Sequence, residues 1–285
     1  MQFGDFTLQT VSGGRLSLDG GTMFGVVPKD IWQRYFTPDD RNRIAMDTNC
    51  LLIRTGGRNV LVDTGYGTKG TDVERERFAF EEANKLVDNL AAVGLAPEEI
   101  DTVILTHLHF DHAGGCTRTG ADGRPTPTFA RARHFVQRAE WDDATGNVPE
   151  LKGSYFPVDF QPLADAGLLQ PVDGDAEILP GVSVRRTGGH TRGHQVVEIT
   201  SGDERGIYLG DVCPLKTHLR IFWTMSYDQS LLDVRRVKPP LLQEIADTGS
   251  LALFDHDPDI RAARLTRGAK GDFEIAKAVD LSRDA

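Results

Sequence analysis

The sequence predicts a mixed α+β fold whose strands fall into two groups, one in each half of the chain. Three observations carry this. Short apolar or alternating runs recur at 6–19, 49–62, 102–107 and 133–137, and again at 182–187, 194–200, 205–211 and 250–256. Helical periodicity is confined to longer stretches, chiefly 77–94 and 231–249. No linker, repeat or low-complexity tract divides the chain, so residues 1–285 are read as a single domain.

Taken in order, "FTLQTVS" (6–12) and "RLSLD" (15–19) alternate like two short strands around a Gly-Gly turn. "NCLLIRTGGRNVLVDTG" (49–65) is two apolar runs joined by Gly-Gly, a hairpin signal. The helical stretch 77–94 ends at Gly94, a C-cap residue. "TVILTH" (102–107) is β-branched and reads as a buried strand. "RHFVQ" (133–137) is a further strand, followed by a helical turn at "AEWDDAT". Residues 148–177 are rich in Pro, Gly and Asp and are expected to be mostly loop. The stretch 231–249 is helical on both sides of Pro239–Pro240, so a new helix should start there with a proline in its first turn. "SLALFDH" (250–256) is another strand, and closing strands are expected after His256.

Charge and composition exclude several classes. The chain of 285 residues has 32 Lys+Arg against 42 Asp+Glu, a net charge of −10, which speaks against a nucleic-acid partner. Its three cysteines, Cys50, Cys116 and Cys213, show no CxxC spacing, so no disulfide framework is expected. Neither a leader after Met1 nor an apolar run of about 20 residues is present, and the expected location is cytoplasmic, with no membrane partner.

The segment "LTHLHFDHAGG" (105–115) concentrates chemistry. On an extended segment, residues i and i+2 share a side, so His107 and His109 can reach one point. Asp111 and His112 follow on the turn and can reach a second point nearby. Imidazole and carboxylate suit zinc and similar divalent ions. Three other strand runs stop at a candidate ligand: His190 in "TGGHTRGH", Asp211 in "IYLGD" and His256 in "LALFDH".

In this order and spacing the chain resembles the metallo-β-lactamase superfamily, from about Thr48 to His256. The HxHxDH pattern matches His107–His112, and "GHTRGH" matches a glycine-flanked ligand motif at His190. The resemblance implies a four-layer αββα sandwich and two divalent metal ions, zinc foremost, with manganese, iron or cobalt as alternatives. It implies one ion on His107, His109 and His190, the other on Asp111, His112 and His256, with Asp211 bridging. Asp63, in a matching "DTG", would orient a ligand. A water shared by the ions would supply the nucleophile, with Asp111 as its proton shuttle and Asp211 holding the pair.

The resemblance extends to lactonase-like and organophosphate-hydrolase-like members, in which an N-terminal segment covers the cleft. Here that lid would be about residues 18–46, with Met23, Phe24 and Trp32 facing a small apolar substrate. A second apolar edge at 218–225 would add Phe222, with His218 as a candidate to protonate the leaving group. One departure stands out: Pro214 occupies the place where many acyl-homoserine lactonases carry a tyrosine. The expected activity is opening of a small lactone or ester. Phosphoester, phosphotriester or thioester hydrolysis on the same ions is the enzymatic alternative, and a metal-binding sensing module the non-enzymatic one. The expected partner is a small molecule; a homodimer is allowed for.

Overall fold

The computed structural model describes residues 1–81, 85–151 and 153–281. Two seven-stranded sheets pack face to face with helices on their outer sides. The first runs Gln2–Phe3, Phe6–Asp19, Arg43–Thr55, Arg58–Val62, Thr102–Ile104, Arg133–Gln137 and Leu169–Val172 in spatial order. The second runs Ala176–Leu179, Val182–Arg186, Gln195–Ser201, Glu204–Tyr208, Leu251–Leu253, Ala262–Arg267 and Phe273–Val279. This is the αββα sandwich expected above.

Period-two alternation places residues in the layers. Leu51, Ile53, Val60, Val62 and Ile104 point between the sheets and meet Val184, Val197, Ile199, Leu251 and Leu253 of the other sheet. Their neighbours Cys50, Leu52, Leu61 and Val103 point outward, onto Leu86 and Leu90 of the helix Lys85–Ala92. Ala252 and Ile207 likewise face Leu241, Leu242 and Ile245 of the long helix. Strands buried on both faces need continuous apolar runs, which is why these segments read as they do. Each such side chain, taken fully out of water, contributes about 1.5–3 kcal/mol.

Several expectations change. Residues 6–19 form one strand, Phe6–Asp19, and its Gly13–Gly14 pair is a bulge in the pairing with Arg43–Thr55. The reason is close packing. A Cβ on Gly13 would lie 2.6 Å from Thr48 Oγ1 and 2.8 Å from Gly65 Cα. Gly56–Gly57 do make the expected hairpin turn, both with positive φ. The stretch 77–94 is not one helix. Asp72–Phe78 ends at Ala79 in the left-handed region, Lys85–Ala92 follows, and 82–84 lie outside the described residues. Within 148–177 a helix, Pro157–Asp165, opens on a proline, and two strands follow.

Leu231–Thr248 is a single helix running through Pro239 and Pro240. The prolines deprive the carbonyls of Arg235 and Arg236 of their helical donors. Arg236 and Pro240 are exposed, so part of that loss falls where water can compensate. The buried stripe Val234, Lys238, Leu241, Leu242 and Ile245 stays aligned only if the helix is unbroken.

Three strand pairings are parallel in the first sheet and one, Glu204–Tyr208 with Leu251–Leu253, in the second. The parallel strands end in the same direction and deliver Asp63, His107, Asp211 and His256 just past their C-terminal ends. Among the described residues no helix is long and apolar enough to cross a membrane.

Candidate metal centre

His107, His109, His190 and Asp211 form one cluster at this edge, and His112, Asp211, Asp255 and His256 an adjoining one. In the first, His107 Nε2 lies 3.0 Å and His190 Nε2 3.1 Å from His109 Nδ1, and Asp211 Oδ2 lies 3.0 Å from His190 Nε2. In the second, His112 Nε2 and His256 Nε2 are 3.2 Å apart, and Asp211 Oδ1 is 3.6 Å and 3.4 Å from them. The two oxygens of Asp211 thus face two different sets. Asp111 approaches the second set, 3.6 Å from His256 Nε2 and 3.9 Å from His112 Nε2.

The outward ring nitrogens fix which nitrogen faces in. His112 Nδ1 lies 2.9 Å from Asp63 Oδ2, His190 Nδ1 2.9 Å from Asp228 Oδ1, and His256 Nδ1 2.9 Å from the Asp47 carbonyl. Each of these acceptors takes an N–H, so in a neutral ring the inward nitrogen is a bare lone pair. Asp63 also accepts from Thr106 N–H and Thr106 Oγ1, both at 2.8 Å, from a backbone with φ of 56°. A non-glycine residue held there carries strain of order 1 kcal/mol, tolerated because three bonds over-determine it.

The residues fit divalent ions. Ring nitrogens at 3.0–3.2 Å repel one another as bare lone pairs, and a metal ion or a proton between them removes that repulsion. Tetrahedral zinc with ordinary Zn–N bonds spaces its nitrogens by about 3.3 Å. Asp211 Oδ1 is buried without a hydrogen-bond partner. Burial, then repulsion from the neighbouring rings, holds His107 and His109 well below the ordinary imidazole value. Burial acts on His112 too, but Asp111, Asp211 and Asp63 outweigh it and push the ring to about 9. Burial would raise Asp211, yet His190, His112 and His256 hold it well below the carboxylate range.

Some positioning groups were not foreseen. His194, the second histidine of "GHTRGH", accepts the Asp211 N–H at Nε2 (3.0 Å), so its proton sits on Nδ1, facing Thr187 Oγ1 at 2.6 Å. Burial holds it near 3, neutral. Asp228 has no motif around it and lies 38 residues from His190. Glu140 is fully buried; Oε1 accepts Leu108 N–H (3.0 Å) and Oε2 accepts the Thr191 hydroxyl (2.6 Å). It therefore ties the strand end bearing His107 and His109 to the loop bearing His190. Glu140→Ala orphans these donors and should cost about 3 kcal/mol in stability and ~10–100-fold in metal affinity. Melting curves and chelator competition would check both; unchanged values would remove the clamp from the account.

A cavity of about 110 Å3 opens over the cluster. His109, Asp111, His190, Asp211 and His256 line it, with Leu18, Met23, Phe78, Phe110, Met225 and Tyr227 as walls. Of the pocket residues expected from sequence, Met23 faces this cavity. Phe24 and Trp32 are fully buried behind it, packed with Leu16, Ile44 and Met46. The segment is thus a packed wall, because its aromatic side chains fill the space beside the first sheet. His218 is also buried, stacked on Phe24 at 5.5 Å, with Nε2 3.0 Å from the Met23 carbonyl. Burial and Lys238 hold it near 3, so its proton is committed to that carbonyl and not to the cavity. Phe222 is 67% exposed and lies outside the cavity lining. Tyr227 was not foreseen; its hydroxyl lies 2.9 Å from Thr22 Oγ1. Pro214 presents its carbonyl to His256 N–H at 3.1 Å.

Ligand-type side chains gathered at one edge of two helix-flanked sheets mark the protein as a metal-dependent hydrolase. The chain belongs to the metallo-beta-lactamase superfamily, whose model matches residues 43–243. An N-acyl homoserine lactonase of Bacillus sp is 30% identical over 223 residues, covering 73% of this chain and 80% of that protein. A probable metallo-hydrolase of Mycobacterium tuberculosis is 27% identical, covering 76% of each. Among solved structures, a probable metal-dependent hydrolase from Staphylococcus aureus superposes with a TM-score of 0.89 at 28% identity, covering 98% of this chain and 100% of that one.

Proposed function

We propose that this chain is a dinuclear, zinc-dependent hydrolase that opens a small lactone carrying an apolar substituent, an N-acyl homoserine lactone or a close relative. The observation that carries the reading is Asp211, whose two oxygens face two separate histidine sets on the floor of an apolar-walled cavity. The Bacillus relative's name supplies the lactone class. Bound ions would polarise the scissile carbonyl and make water a competent nucleophile at neutral pH.

The chain's own groups supply the rest. Asp111 lines the cavity beside the second set and is placed to take and return a proton. Tyr227 offers a phenol at the wall, suited to meet the substrate carbonyl that no side chain at Pro214 can reach. Leu18, Met23, Phe78, Phe110 and Met225 exclude water and hold the acyl chain. Three buried free cysteines support a cytoplasmic location.

Acid release from a panel of acyl lactones, run beside an aryl phosphotriester, tests the reading. Turnover of the lactones is expected, with Met23→Ala lowering kcat/KM for long acyl chains roughly 10-fold more than for short ones. Turnover of the phosphotriester with inert lactones would overturn it.

A further inference from the structure

We propose that Asp255 is a carboxylate ligand of the second ion, so that the two ions sit in unlike pockets, one rich in nitrogen and the other in oxygen. The inference rests on the dinuclear reading above. Asp255 follows the strand Leu251–Leu253 and is 1% exposed. Neither of its side-chain oxygens has a hydrogen-bond partner among the described residues. Its backbone carbonyl, by contrast, accepts Asn49 N–H at 2.6 Å. A buried carboxylate without donors is costly unless a cation or a proton compensates it.

The neighbours that could donate are committed elsewhere. Tyr208 gives its hydroxyl to the Asn49 carbonyl at 3.0 Å, and Asn49 Nδ2 serves the carbonyls of Phe254 and Asp257. What Asp255 does face is the second set. One of its oxygens lies within 4.8 Å of donor atoms on His112, Asp211 and His256, and Oδ2 is 3.8 Å from His256 Nε2. Asp211 Oδ1, in the same set, is also unpartnered. Two buried carboxylates turned toward one small volume bring opposite charge to a cation there. Asp255 is absent from the substrate cavity and lines the inner void with Cys50, Asp63 and Tyr208. It approaches from the protein interior, whereas Asp111 reaches the second set from the cavity as well.

The first set then holds three imidazoles and one carboxylate, and the second holds two imidazoles with Asp211 and Asp255, and with Asp111 beside both rings. Oxygen-rich pockets favour harder ions, so the second position should accept Mn²⁺ more readily than the first.

The test is metal binding by the full-length chain, stripped and then titrated with Zn²⁺ or Mn²⁺ against a chromophoric chelator. Wild type should bind two ions. Asp255→Asn should keep one at wild-type affinity and weaken the other at least ~10-fold, with Mn²⁺ affected more than Zn²⁺. His109→Asn should weaken the opposite ion. Unchanged affinity of Asp255→Asn for both ions would overturn the role of Asp255 and leave the dinuclear reading intact. Wild type binding fewer than two ions would overturn both.

Discussion

Replacing Asp211 with alanine is expected to lower turnover by roughly 10³-fold while leaving the sandwich folded. Among the described residues, Asp211 is the carboxylate shared by both ligand clusters, Oδ2 toward His190 and Oδ1 toward His256. Its negative charge would screen two bound cations from each other, and among the described residues no other carboxylate faces the first set. Several kcal/mol of charge stabilisation therefore leave with it. The fold should survive because the loop is anchored by backbone: Asp211 N–H still donates to His194, and Cys213 N–H to the Gly210 carbonyl. Steady-state turnover, with near-ultraviolet dichroism as the folding control, checks this. Near-normal turnover with both ions retained would mean that Asp211 is not the bridge.

Stripping the metals should abolish activity and lower the melting temperature by roughly 10 °C. At a free-ion concentration a thousandfold above its dissociation constant, an ion that binds only the folded chain contributes about 4 kcal/mol. Without ions, the inward nitrogens of His107, His109 and His190 crowd one another with only protons to separate them, and Asp211 Oδ1 and Asp255 keep unpartnered oxygens. Scanning calorimetry before and after dialysis against a chelator, followed by Zn²⁺ addition, measures the shift and its reversal. A melting temperature insensitive to both steps would count against ions compensating this cluster.

The gathering of His107, His109, His112, His190, Asp211 and His256 is legible in sequence because Asp211 and His256 end apolar runs and the others sit in the patterns "HLHFDH" and "GHTRGH". Chain ends of parallel strands meet at one edge wherever the sheets pack. Asp228 and the Asp47 carbonyl were not legible, since a hydrogen-bond partner 38 or 209 residues away leaves no local pattern. Asp255 was hidden beside the more conspicuous His256. The unbroken helix through Pro239–Pro240 is not legible in local propensity, because what holds it together is the buried stripe that spans both prolines. Phe24 and Trp32 were expected to face substrate because apolarity in a glycine-rich segment does not say which way a side chain turns. Packing against Leu16, Ile44 and Met46 decided it.

The central claim is a pair of ions sharing Asp211. Anomalous diffraction from crystals of the zinc-loaded protein, at the zinc edge, tests it most directly. Two peaks about 3.5–4 Å apart are expected, one among His107, His109 and His190 and the other beside His112 and His256, with Asp211 between them. A single peak, or two peaks that do not flank Asp211, would contradict it.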